Sequence, residues 1–224
     1  MNEGKTVGET SDGSSIKRRK SSKGIIRREE ILTAAMRHFA SAGYQSASFA
    51  AIAADVGLSL PGLLHYFPTK VDLLLAILDK RDLESTSAID ASSANWRTFL
   101  LGLIEVARNN QTIPGVVQAF AVLNAESLTT DHPAQAWFAS RVHDLKGNLG
   151  RSLQKGLTAG ELKADTDPDI IAAELIAMMD GLQMLWLRSP EEFNMVTIFS
   201  AYTHRLIAAI ELVEPRHHTE KAGR

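Results

Sequence analysis

Five hydrogen-bonding side chains, Ser48, Ser59, His65, Tyr66 and Lys70, fall in one short stretch of the chain, interleaved with Leu60, Pro61 and Gly62. Hydroxyls, a phenol, an imidazole and an ammonium are the groups that meet phosphate oxygens and base edges, with small or apolar neighbours to contact thymine methyls. Just upstream, Ser14 to Arg28 carries seven Lys/Arg and no acid. That charge fits an arm adding phosphate contacts or entering a minor groove, or a solvated tail. Other chemistries lack their residues. No cysteine is present, which removes disulfides, thiolate zinc sites and a cysteine nucleophile. His132, His143 and His204 are scattered without helical metal-site spacing, and His217 and His218 sit in a polar stretch, so all are read as surface residues. Neither a nucleophile elbow nor a glycine-rich phosphate loop occurs, so no enzyme, metal or cofactor is expected.

Charge is divided along the chain. The net charge of −2 hides a basic front, with ten Lys/Arg against six Asp/Glu in residues 1–70, and an acidic remainder with fourteen against twenty. Only the front is suited to a polyanion. Residues 1–23 are rich in Gly, Ser and Lys and are expected to be a disordered basic tail, with a second polar tail at 216–224.

Between the tails the pattern is helical almost throughout, giving an all-α fold of nine helices. Ile31, Ala34, Ala35, Phe39 and Ala40 recur at helical spacing from about Arg27, and Gly43 ends that helix. Ser48 caps a short helix to Val56, and Gly57 breaks it. Ser59 caps a second, with Pro61 in its first turn, ending near Tyr66. A longer helix follows from Lys70 to about Ile89. Further helices are expected at about 94–109, 114–128, 133–159, 168–188 and 191–213, punctuated by Pro114, Pro133, Pro168 and Pro190.

Two short capped helices joined through Val56, Gly57 and Leu58 have the form of a helix-turn-helix, whose second helix enters the major groove. Ile52, Val56, Leu63 and Phe67 are placed to pack on Phe39 and fix the angle between the helices. The run Ile52-Ala53, Val56-Gly57-Leu58-Ser59, then Leu63 through Lys70 to Leu73, resembles the TetR family of bacterial regulators. The resemblance covers about Arg27 to Leu78. It implies that Ser48 meets phosphate at a helix start, that Ser59 belongs to the DNA-binding surface, that Leu60, Pro61 and Gly62 face base edges, and that His65 faces outward to DNA. Tyr66 and Lys70 stand at phosphate-contacting positions. Leu64 stands where the family commonly has tyrosine, and Leu60 and Pro61 offer bases no hydrogen bond, so DNA shape and phosphates should carry more of the recognition.

The resemblance further implies a helix-turn-helix domain over 24–70 and a helical effector-binding and dimerisation domain over 71–215. It implies a pocket for a small-molecule effector and a homodimer on a palindromic double-stranded operator, acting as a repressor. Phe120, Trp137, Met179 and Gln183 are the candidate ligand contacts, being large or amphipathic groups in mid-helix. Asp180 and Gln183 are polar groups in an otherwise apolar helix and must be paired, by a partner helix or by a ligand. Gly181 permits close helix approach, and Phe193, Val196, Phe199, Ile207 and Ile210 supply a seam for a four-helix interface over 168–213. No uninterrupted apolar run approaches a membrane span and no secretory signal is evident, so a cytoplasmic location without membrane contact is expected. The alternative reading is an all-α dimeric scaffold or ligand-binding module that keeps the turn without binding DNA.

Overall fold

In the computed structural model, residues 13–86 and 95–212 are described, the backbone alone for 13–22 and 84–86. The start of the basic tail, the C-terminal tail with His217 and His218, and the end of the helix expected to reach Ile89 lie outside the described residues. Nine helices are present among them: α1 (Gly13–Ser46), α2 (Phe49–Asp55), α3 (Leu60–Tyr66), α4 (Lys70–Thr86), α5 (Trp96–Thr112), α6 (Pro114–Glu126), α7 (Gln135–Thr158), α8 (Pro168–Arg188) and α9 (Met195–Ile210). The first helix is therefore long, not short. It begins at Gly13, inside the stretch read as a disordered tail, because nothing but Gly24 interrupts the helix-compatible run of Ser, Lys, Arg and Ile there.

Local chemistry sets the boundaries. Gly43 turns the backbone out of α1 with φ 70°, a left-handed conformation that glycine adopts without strain. Gly57 does the same between α2 and α3 at φ 66°. Asp167 caps α8 by accepting from the Asp169 and Ile170 N–H groups, and Pro168 opens it. Asn95 and Asn194 cap α5 and α9 through the Thr98 and Thr197 N–H groups.

Two apolar clusters hold the helices. The first buries Ile31, Leu32, Phe39, Ile52, Leu63 and Phe67 with Leu73, Leu74, Ile77 and Leu78 of α4, and it takes in Phe120, Leu123 and Phe138 from α6 and α7. The second joins α5, α7, α8 and α9 through Trp96, Leu100, Leu153, Leu175, Trp186 and Phe199. Helix α6 lies along α1 and so spans the two. Phe199, Ile207 and Ile210, expected at a dimer seam, are buried inside this second cluster. The buried face of α9 is spent within the chain.

Helix α8 is 21 residues long and apolar enough by composition to cross a membrane, with 28% of that window buried inside the chain. The sequence reading expected no such stretch, because Glu174, Asp180 and Gln183 interrupt every uninterrupted apolar run. Besides the charged Asp169 and Arg188 at its ends, its exposed residues, Ile170, Ala173, Glu174, Ala177, Gly181, Met184 and Leu185, form one stripe at spacings of three and four, mostly small or apolar.

Candidate nucleic-acid interface and effector cavity

The axes of α2 and α3 cross at 94°. That angle is fixed by the predicted contacts: Ile52, Leu63 and Phe67 are buried with Phe39, and Val56 packs at their edge. With Leu63 and Phe67 turned inward, α3 must present the rest of its surface to solvent. Leu60 is 40% exposed and Leu64 37%, and Pro61 and His65 are exposed as well. Gly62 is half-buried, and its N–H donates to Ser59 Oγ at 3.2 Å. Ser48 Oγ accepts from the Ala51 N–H at 3.2 Å. Both serines thus cap short helices through their oxygens, and each hydroxyl proton is still available to a phosphate. Tyr66 is half-buried against the core, edge-on to His65.

Lys70 is placed differently from a free phosphate contact. Its Nζ donates to the Gln45 carbonyl at 3.1 Å and stands 4.8 Å from the centre of the Tyr44 ring. Burial lowers its pKa, and the Glu126 charge opposes that shift. Two members of the basic run are likewise engaged inside the domain. Arg27 donates to the Val56 carbonyl at the end of α2, and the Arg28 guanidinium lies over the Phe67 ring.

Below the turn, Glu126 at the end of α6 reaches the end of α1. Its Oε2 accepts from the Tyr44 N–H at 2.8 Å. A Cβ on Gly43 would stand 2.1 Å from Glu126 Oε1, so only glycine admits this approach. His132, expected at the surface, is buried at 6% exposure. Its Nδ1 accepts from the Ala134 N–H, so the proton sits on Nε2, 3.9 Å from Glu126 Oε2, and its ring packs edge-on against Tyr44. The positive φ of Asp131 folds the α6–α7 connection back and carries the imidazole inward. His143 and His204 are exposed.

A cavity of about 80 Å³ opens within the second half of the molecule. A single water needs about 10–15 Å³ of such space, so several fit. Phe120, Met179 and Gln183 line it, as do Arg81, Asn110, Arg141 and Asp180. Trp137 does not. It packs edge-on against Phe120 and Phe138 and its Nε1 donates to Asp79 at 2.7 Å, so its polar edge is used on the α4 side. The two arginines escaped the sequence reading because a charge on an amphipathic helix is ordinarily solvated. Here Arg81 is 4% exposed and donates to Asn110 Oδ1 at 2.8 Å, while Arg141 Nε donates to Asp82 at 2.6 Å. Both guanidiniums lie over the Phe120 ring, at 5.5 Å and 5.0 Å from its centre. Burial pushes the Asp180 carboxyl above its usual pKa, and the nearby Arg141 charge partly offsets the rise.

Known proteins share this arrangement. Residues 31–77 match the family model for bacterial regulatory proteins of the tetR family, and residues 125–208 match the C-terminal model of BetI-type transcriptional repressors. An HTH-type transcriptional repressor of Mycobacterium tuberculosis, Rv1474c, is 27% identical over 190 residues, which is 84% of this chain and 91% of the relative. A TetR transcriptional regulator from Chloroflexus aurantiacus has the same fold, with a TM-score of 0.73 at 23% identity over 86% of this chain and all of that one. A transcriptional regulator from Saccharomonospora viridis, solved in complex with choline, aligns with a TM-score of 0.65 at 22% identity, covering 83% of this chain and 98% of that one. The two family models together take in more than half of the chain, and the helix-turn-helix lies inside the first: the chain belongs to the TetR family and is a DNA-binding transcriptional repressor, not an enzyme.

Proposed function

We propose that the chain acts in the cytoplasm as a homodimer that grips a palindromic operator with two copies of α3 and lets go when a small molecule occupies the cavity between α5, α6, α7 and α8. The observation that carries this reading is the placement of Phe120. It belongs to the first core, with the helix-turn-helix, yet its ring forms part of the cavity wall. An occupant that moves Phe120 moves α6, and α6 ends in the Glu126 contact with the end of α1. Such a ligand shifts a two-state dimer only if it binds the two states with different affinity.

Ser48, Ser59, Tyr66 and Lys70 are assigned to phosphates, and Leu60, Pro61, Gly62 and His65 to the groove. For Lys70 this requires the ammonium to share itself between the Gln45 carbonyl and a phosphate, which three N–H donors permit. The division at residue 70 is functional. The DNA-facing surface ends there, while the packing of α1 continues into α4. The uncovered stripe of α8 supports the dimer. A second copy would bury Ile170, Met184 and Leu185 around the small residues Ala173, Ala177 and Gly181. A Cβ on Gly181 meets nothing within 4 Å inside one chain, so its surroundings are left open for a partner.

The test is selection from a library of random duplexes by the purified protein, with sequencing of the retained fraction. Enrichment of one palindrome is expected, with half-sites about one helical turn or a multiple apart. Salt-sensitive retention without enrichment would remove the operator reading, and no retention at all would favour a scaffold that does not bind DNA. Gly181→Leu is expected to shift the sedimenting species from dimer toward monomer. A fully dimeric variant would take α8 out of the interface.

A further inference from the structure

We propose that the cavity binds a small carboxylate with an apolar tail, its carboxylate held by the free edge of Arg141. This rests on the cavity's being the effector site, and names its ligand class. Arg141 spends Nε on Asp82, and its two Nη groups make no hydrogen bond to a described residue although the guanidinium lines the cavity. The Nη edge is a planar pair of donors matched to a carboxylate. Gln183 is 8% exposed, lines the same space and has no hydrogen-bond partner among the described residues. Its amide is therefore available to a ligand, as both donor and acceptor. Asn110 spends its carbonyl oxygen on Arg81 and so offers only its NH₂ group. The opposite wall is hydrocarbon from Leu103, Val106, Leu149, Ile176 and Met179.

A cation is the competing occupant, and the cavity is poorly made for one. Phe120, one of its two aromatic lining residues, already has two guanidiniums over it. Asp180 is the sole acidic residue in the lining, and it forms no ion pair with Arg141 within 4.0 Å. Burial raises the Asp180 pKa, which lowers the cost of neutralising the one acid that an arriving carboxylate would meet.

The experiment titrates the purified full-length protein by calorimetry with straight-chain monocarboxylates from butanoate to octanoate, the matching alcohols and amines, and choline. One or more carboxylates are expected to bind, and the alcohol and amine of the same length are not. Arg141→Gln should weaken the carboxylate by about tenfold to hundredfold, the loss of a charge-assisted pair. Asp180→Asn should tighten it. Because Arg141→Gln leaves Asp82 without its partner, its thermal unfolding is measured alongside. Should that variant fail to fold, the Asp180→Asn result decides. Preference for an amine or choline, with binding abolished by Asp180→Asn, overturns the proposal. Absence of binding by every carboxylate overturns it too. A carboxylate that binds the cavity yet leaves operator affinity unchanged upholds this site and overturns the effector reading.

Discussion

The helix-turn-helix and the cavity are built from the same residue types and are finished to different degrees. Around α2 and α3 the polar contacts stay inside the reader: Ser48 and Ser59 cap their own helices through Ala51 and Gly62, and Arg27 and Lys70 tie α1 to the ends of its neighbours through the Val56 and Gln45 carbonyls. Leu63, Ile52 and Phe39 are fully buried beneath them. Around the cavity the polar groups join separate helices, Arg81 to Asn110 and Arg141 to Asp82, and the Nη edge of Arg141 is left facing the space. The first region is closed on itself, so the surface proposed to meet DNA is set by contacts within it. The second retains unmet hydrogen bonds and space, so its shape depends on what fills it. A ligand-controlled DNA-binding protein needs both: a reader that does not deform, and a sensor with more than one stable packing.

The strongest way to break that comparison is to truncate one side chain in each region. Leu63→Ala removes a fully buried side chain from a closed core and should cost about 3 kcal/mol in denaturant unfolding, with loss of DNA binding. Met179→Ala removes a half-buried wall of existing space and should cost less than about 1.5 kcal/mol. Equal costs would mean that the cavity is packed as tightly as the reader.

A smaller effect is expected where the regions meet. Glu126→Ala leaves the buried Tyr44 N–H without its acceptor, at a cost of about 1–3 kcal/mol. Operator affinity should persist in part, because α2 and α3 are unchanged. The release of DNA by any ligand of the cavity should weaken, since α6 no longer holds the end of α1. Undiminished release, measured by fluorescence anisotropy of a labelled operator, would show that the two halves communicate by another route.

The same contrast explains what was legible in the sequence. Capping and turn chemistry act over three or four residues, so Ser48, Gly57, Ser59 and Pro61 announce α2 and α3 directly. The inward face of α3 follows from Leu63 and Phe67. The cavity depends on contacts between residues far apart in the chain. Phe120, Met179 and Gln183 were candidates as large or amphipathic mid-helix groups in a bundle where the family resemblance implies a pocket, and all three line the cavity. Nothing local separates them from Trp137, which turns to Asp79, nor marks Arg81 and Arg141 as inward charges. His132 was missed for a related reason. Its burial is set by the backbone reversal at Asp131 and by Tyr44 on a distant helix, not by the polar residues beside it. The uncovered stripe of α8 was foreshadowed by Gly181, but Phe199, Ile207 and Ile210, read as part of a dimer seam, pack inside the chain, since amphipathicity does not say which neighbour a face meets.

The smallest effect tests whether the cavity carries an electrostatic cost that the reader lacks. Burial raises the Asp180 pKa in the folded chain above its unfolded value of 3.8, with Arg141 opposing. The sign follows from proton linkage: the folded state holds this proton more tightly than the unfolded state. The contribution of Asp180 to stability is then fully present below pH 3.8 and lost as pH rises through the folded pKa. At neutral pH the side chain is a net cost. Asp180→Asn has nearly the same shape and cannot ionise, so it should raise the melting temperature at pH 7. The gap between variant and wild type should narrow as pH falls toward 4. A variant that melts lower at pH 7 would mean that the Asp180 charge is held by Arg141 more firmly than burial opposes it. The cavity would then be electrostatically closed like the reader, and the distinction between the two regions would rest on packing alone.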